Sequence, residues 1–540
     1  MVKRARSVSI SSSLCSRPLS SATSSPTKKI RNDIKFLPNK IATAEAAAKT
    51  DADPPLLKLL NAQKDILKSP AKGDCVVYWM RMEDLRVSDN RALAQASAKA
   101  HQEQIPLITL FVLSPQDYLA HDRGARRIDF TLRNLENIKA SLARLHIPLY
   151  ITSHSPRTSL PAYVHTLLKE WNSSHLFANI EYEVDELRRD IKVCELAHKD
   201  GKVASIFVHD KCVISPGEVR TKEGRGYTVY SPFLRAWLPQ VEGFSLREDE
   251  RAKMTICWPA GEDVAKQMLD RFLHTSARTS QLGATDPLAD GAKAPSKSPD
   301  KESRVGKYKD ARDRVDADTT SRLSPYLAAG VISARECIRA TLELSRSGKV
   351  DASRETGVGR WVQEIAWRDF YMHVLALFPR VSMGRPFQEK FAVVRWETNA
   401  HLQAWKDGRT GVPIVDAAMR QAREMGWMHN RVRMVSAMFL AKDLMIDWRL
   451  GEKHFMEVLI DGDLASNNGG WQWSASTGVK ADPTGDYIRR FVPELAKVRG
   501  ADIHKPPPAL ADKLGYPRPL VKHEEARERA IRRYKNPGAE

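Results

Sequence analysis

The sequence predicts an α/β domain built on a doubly wound parallel sheet, followed by a large all-α domain. Three observations predict it. Between about residues 74 and 210, short β-type runs alternate with helical patterns, the signature of βαβ units. From about 275 to 500, helical periodicity dominates and β-branched runs are few. The chain of 540 residues is long enough for several cores.

The elements follow in order. The first strand is Cys75-Val76-Val77-Tyr78-Trp79, and a helical pattern follows at about 92–101. The second strand, at 107–112, is closed by Ser114-Pro115. A longer helix is expected over 128–145, a third strand over 148–152, a helix over 162–170 and a fourth strand over 175–179. Beyond Trp258 the pattern changes, and 283–303, rich in Gly, Ala, Pro, Ser, Lys and Asp, reads as a solvated loop. Ahead of the first strand, residues 1–40 are basic and serine-rich, with Asp33 as the sole acid. That composition reads as a transit peptide. Lys28-Lys29-Ile30-Arg31 also suits a nuclear import patch, and a plain basic tail accounts for the composition equally. A short helix is predicted at 56–67, and residues up to about 70 are otherwise set apart from the fold. The expected division is a basic targeting or disordered segment at 1–72 and an α/β domain at 73–210. A connector with its loop follows at 211–305, then a helical domain at 306–500 and a tail at 501–540.

Composition narrows the function. The 85 Lys and Arg against 66 Asp and Glu give a formal charge of +19, which points to a polyanion, with nucleic acid first and an anionic membrane second. No run of about 18 apolar residues is present, which excludes a spanning helix. The six cysteines have no paired spacing, which excludes a disulfide scaffold and a cysteine-based zinc site and fits a reducing compartment.

Four clusters carry the chemistry. Eight of the twelve tryptophans fall between Trp361 and Trp473, beside many arginines. A single tryptophan is more often core than site. So many together offer stacking platforms and readily oxidised electron relays. Within Gly359–Tyr371, residues Glu364, Trp367, Arg368 and Tyr371 fall at i, i+3, i+4, i+7 and share one helix face. An acid, an indole, a guanidinium and a phenol do not make a core stripe. The second cluster is Gly426-Trp-Met-His-Asn-Arg-Val-Arg-Met434. The third, Asp461-Gly-Asp-Leu-Ala-Ser-Asn-Asn-Gly-Gly-Trp-Gln-Trp473, reads as a tight loop or helix entry suited to a polar heterocycle edge. No further ligands follow its two acids at calcium-loop spacing, so no metal is expected. The fourth, Thr319-Thr-Ser-Arg-Leu-Ser324, suits a phosphate at a helix start, and a simple N-cap explains it equally.

Together with Trp79–Leu93, these clusters resemble the photolyase/cryptochrome flavoprotein family, over about 74–495. The similarity is closest to class I cyclobutane pyrimidine dimer photolyases of the fungal kind. It implies light-driven lyase chemistry on DNA carrying such dimers. It also implies one non-covalent FAD in the helical domain, a monomer with no membrane partner, and a place in the nucleus, the mitochondrion or both. By the resemblance, Tyr308, Thr320, Ser321, Arg322, Leu323 and Ser324 contact FAD, mainly at its pyrophosphate. Trp361 and Glu364 line the flavin-side pocket, Asp461 and Asp463 contact FAD, and Arg433 pairs with Asp461 beside the ring. Asn467 faces flavin N5. Glu364, Trp367 and Trp473 hold the flipped dimer. Arg312, Arg368, Tyr371, Asn430 and Arg431 hold the DNA. Trp471, Trp448 and Trp396 relay electrons to the flavin.

At the antenna site, Asp185 and Glu186 match, although Asp185 stands where bacterial relatives have Asn, and Met383-Gly384 replaces a polar pair. The expected antenna is 5,10-methenyltetrahydrofolate, with 8-hydroxy-deazaflavin the alternative. After Val479 the family pattern implies a further stretch of a dozen or more residues that this chain lacks. The rival reading is a cryptochrome that signals without repair. Asn467 speaks against it, since plant cryptochromes usually have Asp there and animal ones Cys. A basic nucleic-acid-binding protein without catalysis would explain the charge but not the tryptophans.

Overall fold

In a computed structural model the described residues are 41–63, 70–221, 223–231, 233, 257–277, 286–288, 302–345, 348–472 and 482–539. Five strands form one parallel sheet: β1 (Cys75–Met80), β2 (Leu107–Leu113), β3 (Leu149–Ser153), β4 (Ser173–Asn179) and β5 (Ala204–Val208), in the order β3-β2-β1-β4-β5. The central β1, Cys-Val-Val-Tyr-Trp-Met, is buried along its length, as expected of a parallel strand paired on both edges. Edge strand β3 is partly exposed. The predicted strands and helices of this unit are all present, with ends shifted by a few residues. The reading of individual elements stopped at 179. It did not resolve the helix Val184–Asp200 or β5, whose run Ala-Ser-Ile-Phe-Val is short and lacks clean alternation.

Residues 44–62, which the sequence reading set apart from the fold, form two helices, α1 (Ala44–Ala52) and α2 (Pro55–Ala62). Leu56 and Leu59 enter the core, and Gln63 Oε1 accepts from the Phe207 amide of β5 at 2.7 Å. The helix predicted at 56–67 thus spans Pro55–Ala62 with Gln63 as its C-cap, and the predicted positions 64–67 lie outside the described residues. Ala42 N donates to Met383 O at 3.0 Å, and Arg380 pairs with Asp51. This segment therefore straps the α/β domain to the helical one.

The longer helices of the α/β domain are α3 (Arg91–Glu103), α4 (Ala125–Arg144), α5 (Leu160–Glu170) and α6 (Val184–Asp200). No strand follows β5 among the described residues, in line with the all-α expectation. The longer helices there are α7 (Glu262–His274), α8 (Gly357–Leu377), α9 (Pro413–Met425), α10 (Asn430–Met438), α11 (Trp448–Val458), α12 (Leu464–Gln472) and α13 (His523–Lys535). The region expected as a tail is folded back. Leu520 N donates to Thr410 O at 3.0 Å, and the Arg529 guanidinium donates to Asp443 O at 2.6 Å. Most of the solvated loop predicted at 283–303 lies outside the described residues.

Buried charge joins the two domains. Arg123 pairs with Glu83 at 2.8 Å and donates to Gly462 O at 2.8 Å, and Arg127 donates to Ala328 O at 2.6 Å. Gly330 lies so close to Glu83 that a Cβ would stand 1.8 Å from its carbonyl oxygen. Breaking one partner of such a buried pair leaves an uncompensated charge, so the interface fixes one relative placement of the domains.

Candidate functional site

Helix α8 starts where Thr356 Oγ1 accepts from Gly359 N at 3.0 Å, a standard N-cap. Its middle turns bury Val362, Ile365, Ala366, Phe370 and Met372. Between Trp361 and Tyr371, the residues that are only half-buried are Glu364, Trp367, Arg368 and Tyr371, the four that share the predicted face. Trp367 lies flat on Tyr230, with ring centroids 3.6 Å apart at 8°, and Tyr371 flanks it at 5.5 Å. Gly469 of α12 faces the Tyr371 ring so closely that a Cβ there would meet it at 2.2 Å.

Glu364 is ion-paired with Arg312. Burial pushes its carboxyl up from the ordinary carboxylate range, and Arg312 pulls it back. Asp313 lies beside Arg312 at 3.7 Å and accepts twice from Arg431, at 2.7 and 3.1 Å. A line of alternating charge thus runs from α8 to the start of α10. Asn430 is exposed at its outer end. Arg368 departs from the expected DNA-facing position: its guanidinium donates to Lys211 O at 2.8 Å and Leu327 O at 3.3 Å, at the domain interface. Trp473 and the junction after Val479 lie outside the described residues.

On the inner side, Tyr308 and Trp361 both pack on Phe272, at 5.5 and 5.0 Å. Arg433 holds Asp461 in a bidentate pair at 3.0 and 2.7 Å. Asp463 caps α12, accepting from Ser466 N at 2.6 Å, which explains the predicted helix entry. Asn467 Nδ2 donates to Glu452 O at 2.9 Å, and Asn468 Nδ2 donates to the Glu452 carboxylate at 2.8 Å. Burial raises that carboxyl to about 7.

The turn at 319–324 is more than a cap. Arg322 is a buried, non-glycine residue at φ +53°, a conformation that costs free energy and concentrates at functional sites. Thr320 and Ser321 are half-buried, Leu323 is buried, and the exposed Ser324 accepts through Oγ from Trp427 Nε1 at 3.1 Å. Arg322, Arg271 and Arg304 all converge on one carboxylate, Asp318. Each is at least nine-tenths buried. Burial lowers the Arg322 guanidinium to about 10 and also lowers Arg271, which Arg304 and Arg322 depress further. Arg271 Nε and Nη1 have no hydrogen-bond partner among the described residues. The buried Arg271 guanidinium, with two nitrogens unpartnered among the described residues, is suited to a further anion, because buried charge is costly unless paired. The donor set fits FAD: guanidiniums for its pyrophosphate, and aromatic, amide and carboxylate groups for its ring. Sequence reasoning missed Arg271, Arg304 and Asp318, since none lies in a recognisable motif.

The three tryptophans expected to form the relay come from separate elements. Trp471 is buried, and its ring presses on Gly451, where a Cβ would stand 2.1 Å from Cη2. Gly451 is one turn from the buried Trp448 on α11. Half-buried Trp396 is anchored by its neighbour, whose Glu397 N donates to Met445 O at 2.7 Å, just before Trp448. Trp405, fully buried, meets Trp471 edge-on at 6.1 Å.

At the opening of α6, the Glu186 carboxylate lies 2.9 Å from His121 Nε2 in an ion pair, while Arg157 pairs with Asp185 at 2.8 Å and Asp117 at 2.6 Å. Burial alone would lower His121, but the Glu186 carboxylate lifts it to about 9. A cavity of about 120 Å³ beside His121 is lined by Ile41, Gly384, Glu452 and Asn468.

Two family models match the chain: DNA photolyase over 76–253 and the FAD binding domain of DNA photolyase over 361–536. The chain is 39% identical to a deoxyribodipyrimidine photo-lyase of Neurospora crassa, covering 93% of this chain and 89% of that one. It is 38% identical to the Vibrio cholerae protein of the same name, over 85% of this chain and 99% of that one. It is also 31% identical to the mitochondrial deoxyribodipyrimidine photo-lyase of Saccharomyces cerevisiae, over 85% and 86%. Among solved structures, a class III photolyase from Agrobacterium tumefaciens superposes with TM-score 0.65 at 30% identity, covering 87% of this chain and 98% of that one. A Synechocystis cryptochrome superposes at 0.68 and 21% identity over 85% and 98%, which speaks to the fold alone. Fold, charged site and relatives agree: the chain belongs to the DNA photolyase family of light-dependent DNA-repair enzymes.

Proposed function

We propose that the chain is a deoxyribodipyrimidine photo-lyase that splits cyclobutane pyrimidine dimers in DNA, with one non-covalent FAD. The observation that carries the reading is the half-buried face Glu364–Trp367–Tyr371 of α8, set against the charged line Arg312–Asp313–Arg431. A dimer inside a duplex cannot reach a buried cofactor, and enzymes of this kind, photolyases among them, extrude their target base. Trp367, backed by Tyr230, offers the stacking surface, and Trp473 the second indole. Glu364 offers a carboxyl at the base edges. Arg312 and Arg431 meet the phosphates, which supply most of the affinity, while Asn430 and Tyr371 border them.

Tyr308, Trp361, Asp461, Arg433, Asp463 and Asn467 hold the FAD ring, and Thr320, Ser321, Arg322, Leu323 and Ser324 hold its pyrophosphate, with Arg271 and Arg304 added here. Bound reduced FAD supplies one electron to the photoexcited reaction, returned after the two C–C bonds of the cyclobutane ring have broken. Trp471, Trp448 and Trp396 deliver electrons to the site from the surface during activation. In this reading 73–210 is the antenna domain and 306–500 the flavin and DNA domain. Asp185 and Glu186 receive 5,10-methenyltetrahydrofolate, and the protein works as a monomer in the nucleus, the mitochondrion or both.

The test is direct. The purified protein should be yellow, release FAD on denaturation and, once reduced, repair dimer-containing DNA only in blue light. A correctly folded, colourless protein from flavin-replete cells, or repair in the dark, contradicts the reading.

A further inference from the structure

His429 is an unusual helix cap. It precedes α10, and its Nδ1 accepts from Arg431 N at 3.1 Å. Caps are ordinarily Ser, Thr, Asp or Asn, whose short side chains stay close to the helix end they cap. An imidazole that accepts at Nδ1 must carry its proton on Nε2, so the hydrogen bond itself fixes the tautomer. The far nitrogen is then an N–H donor directed away from the helix end. His429 is 5% exposed, and Nε2 has no hydrogen-bond partner among the described residues. Burial and the surrounding guanidiniums lower the ring to about 4, so it stays neutral and keeps this tautomer at any working pH. A buried donor without an acceptor is costly, and in native structures such a group signals a missing ligand or water.

The position says which ligand. Arg431, whose amide the ring caps, pairs with Asp313 at 2.7 Å, while Arg433 Nε donates to Met428 O at 2.7 Å and the Arg322 guanidinium lies over the Trp427 ring at 5.8 Å. Trp427 lies edge-on to it at 6.3 Å and donates to Ser324 Oγ at 3.1 Å, which ties the ring to the anion turn. His429 therefore stands between the Asp461-bound Arg433 and the turn at 319–324, deep in the helical domain.

We propose that His429 is a cofactor-binding residue whose Nε2–H donates to an oxygen or ring-nitrogen acceptor of FAD. This rests on the reading of the site as an FAD pocket. It also explains the choice of residue: an imidazole caps α10 with Nδ1 and carries its donor on the far side of a rigid ring, farther from the helix end than the short side chain of an ordinary cap extends.

The decisive variant is His429→Asn, because asparagine is among the best caps. The apo-protein, freed of flavin, is titrated with FAD, and its thermal midpoint is measured with and without FAD. His429→Phe is run beside it. The expected result is FAD binding about 10-fold weaker in both variants, with the apo midpoint of His429→Asn not below that of the unsubstituted protein. If His429→Asn binds FAD as tightly as the unsubstituted protein, the residue is only a cap and the proposal fails. If FAD binding is unchanged but affinity for dimer-containing DNA falls, the acceptor belongs to the lesion and the proposal also fails. If the unsubstituted apo-protein takes up no FAD while still binding DNA, the FAD reading of the site falls, and this inference with it.

Discussion

The guanidinium of Arg312 and the carboxylate of Glu364 form an ion pair that links the short helix Tyr308–Ala311 to the middle of α8. Neither residue is fully buried: the side chains are 27% and 31% exposed. In the proposed reading the pair sits at the mouth of the site, where an entering base edge would compete with Arg312 for the carboxylate. Asp313 extends the same line to Arg431, so three of the groups assigned to DNA and lesion hold one another in place.

Glu364→Ala should therefore slow repair more than it weakens binding to undamaged DNA. Undamaged duplex is held mainly through phosphates, whereas in the proposed reading the carboxyl meets only an extruded base. Loss of one charge-assisted hydrogen bond corresponds to about 1.5–3 kcal/mol, or roughly 10- to 100-fold in single-turnover repair. Equal losses in repair and in undamaged-duplex affinity would make Glu364 structural.

Arg271→Met should raise the thermal midpoint of the flavin-free protein and lower its affinity for FAD. The substitution removes one of three guanidiniums buried around Asp318, and with it a charge that lacks full compensation until an anion is bound. Melts of apo- and FAD-loaded protein, compared for both chains, read the crossing directly. A midpoint that falls equally in both states contradicts the anion site.

Trp471→Phe should abolish photoreduction of oxidised FAD and spare repair by chemically reduced enzyme. The buried indole presses on Gly451, one helical turn from Trp448, and phenylalanine fills the space without matching its ease of oxidation. Transient absorption after a blue flash checks it. Photoreduction at the unsubstituted rate would remove Trp471 from the relay and turn attention to Trp405.

Glu452→Gln should flatten the dependence of stability on pH. Burial lifts the Glu452 carboxyl from its ordinary 4.5 to about 7. A group whose pKa is higher in the folded chain contributes stability fully below the unfolded value, and that contribution is lost as pH rises through the folded value. The unsubstituted protein should thus lose about 1–3 kcal/mol through this group as the pH rises from about 5 to about 9. Glutamine keeps the acceptor for Asn468 without the charge. Denaturant titrations across that range should show a smaller slope for the variant, and parallel slopes would contradict the assignment.

The amino-acid pattern was enough to give the class of each domain, most strand positions and the face of α8 that carries Glu364, Trp367, Arg368 and Tyr371. These are properties of local periodicity, and a period of 2 or 3.6 is written in neighbouring residues. It also marked the 319–324 turn and the Arg433–Asp461 pair, through motifs whose residues are close along the chain or matched by resemblance. Tertiary structure alone decided the rest. The anion nest joins Arg271, Arg304, Asp318 and Arg322 from three segments, and no window of sequence contains it. Arg368, on the right face by spacing, turned to backbone carbonyls of Lys211 and Leu327, because the domain interface offered acceptors that periodicity does not record. Residues 44–62 read as part of a basic leader, yet Leu56 and Leu59 found a core to enter. Burial depends on what the rest of the chain brings near, and a short helix has no stable form until that surface exists.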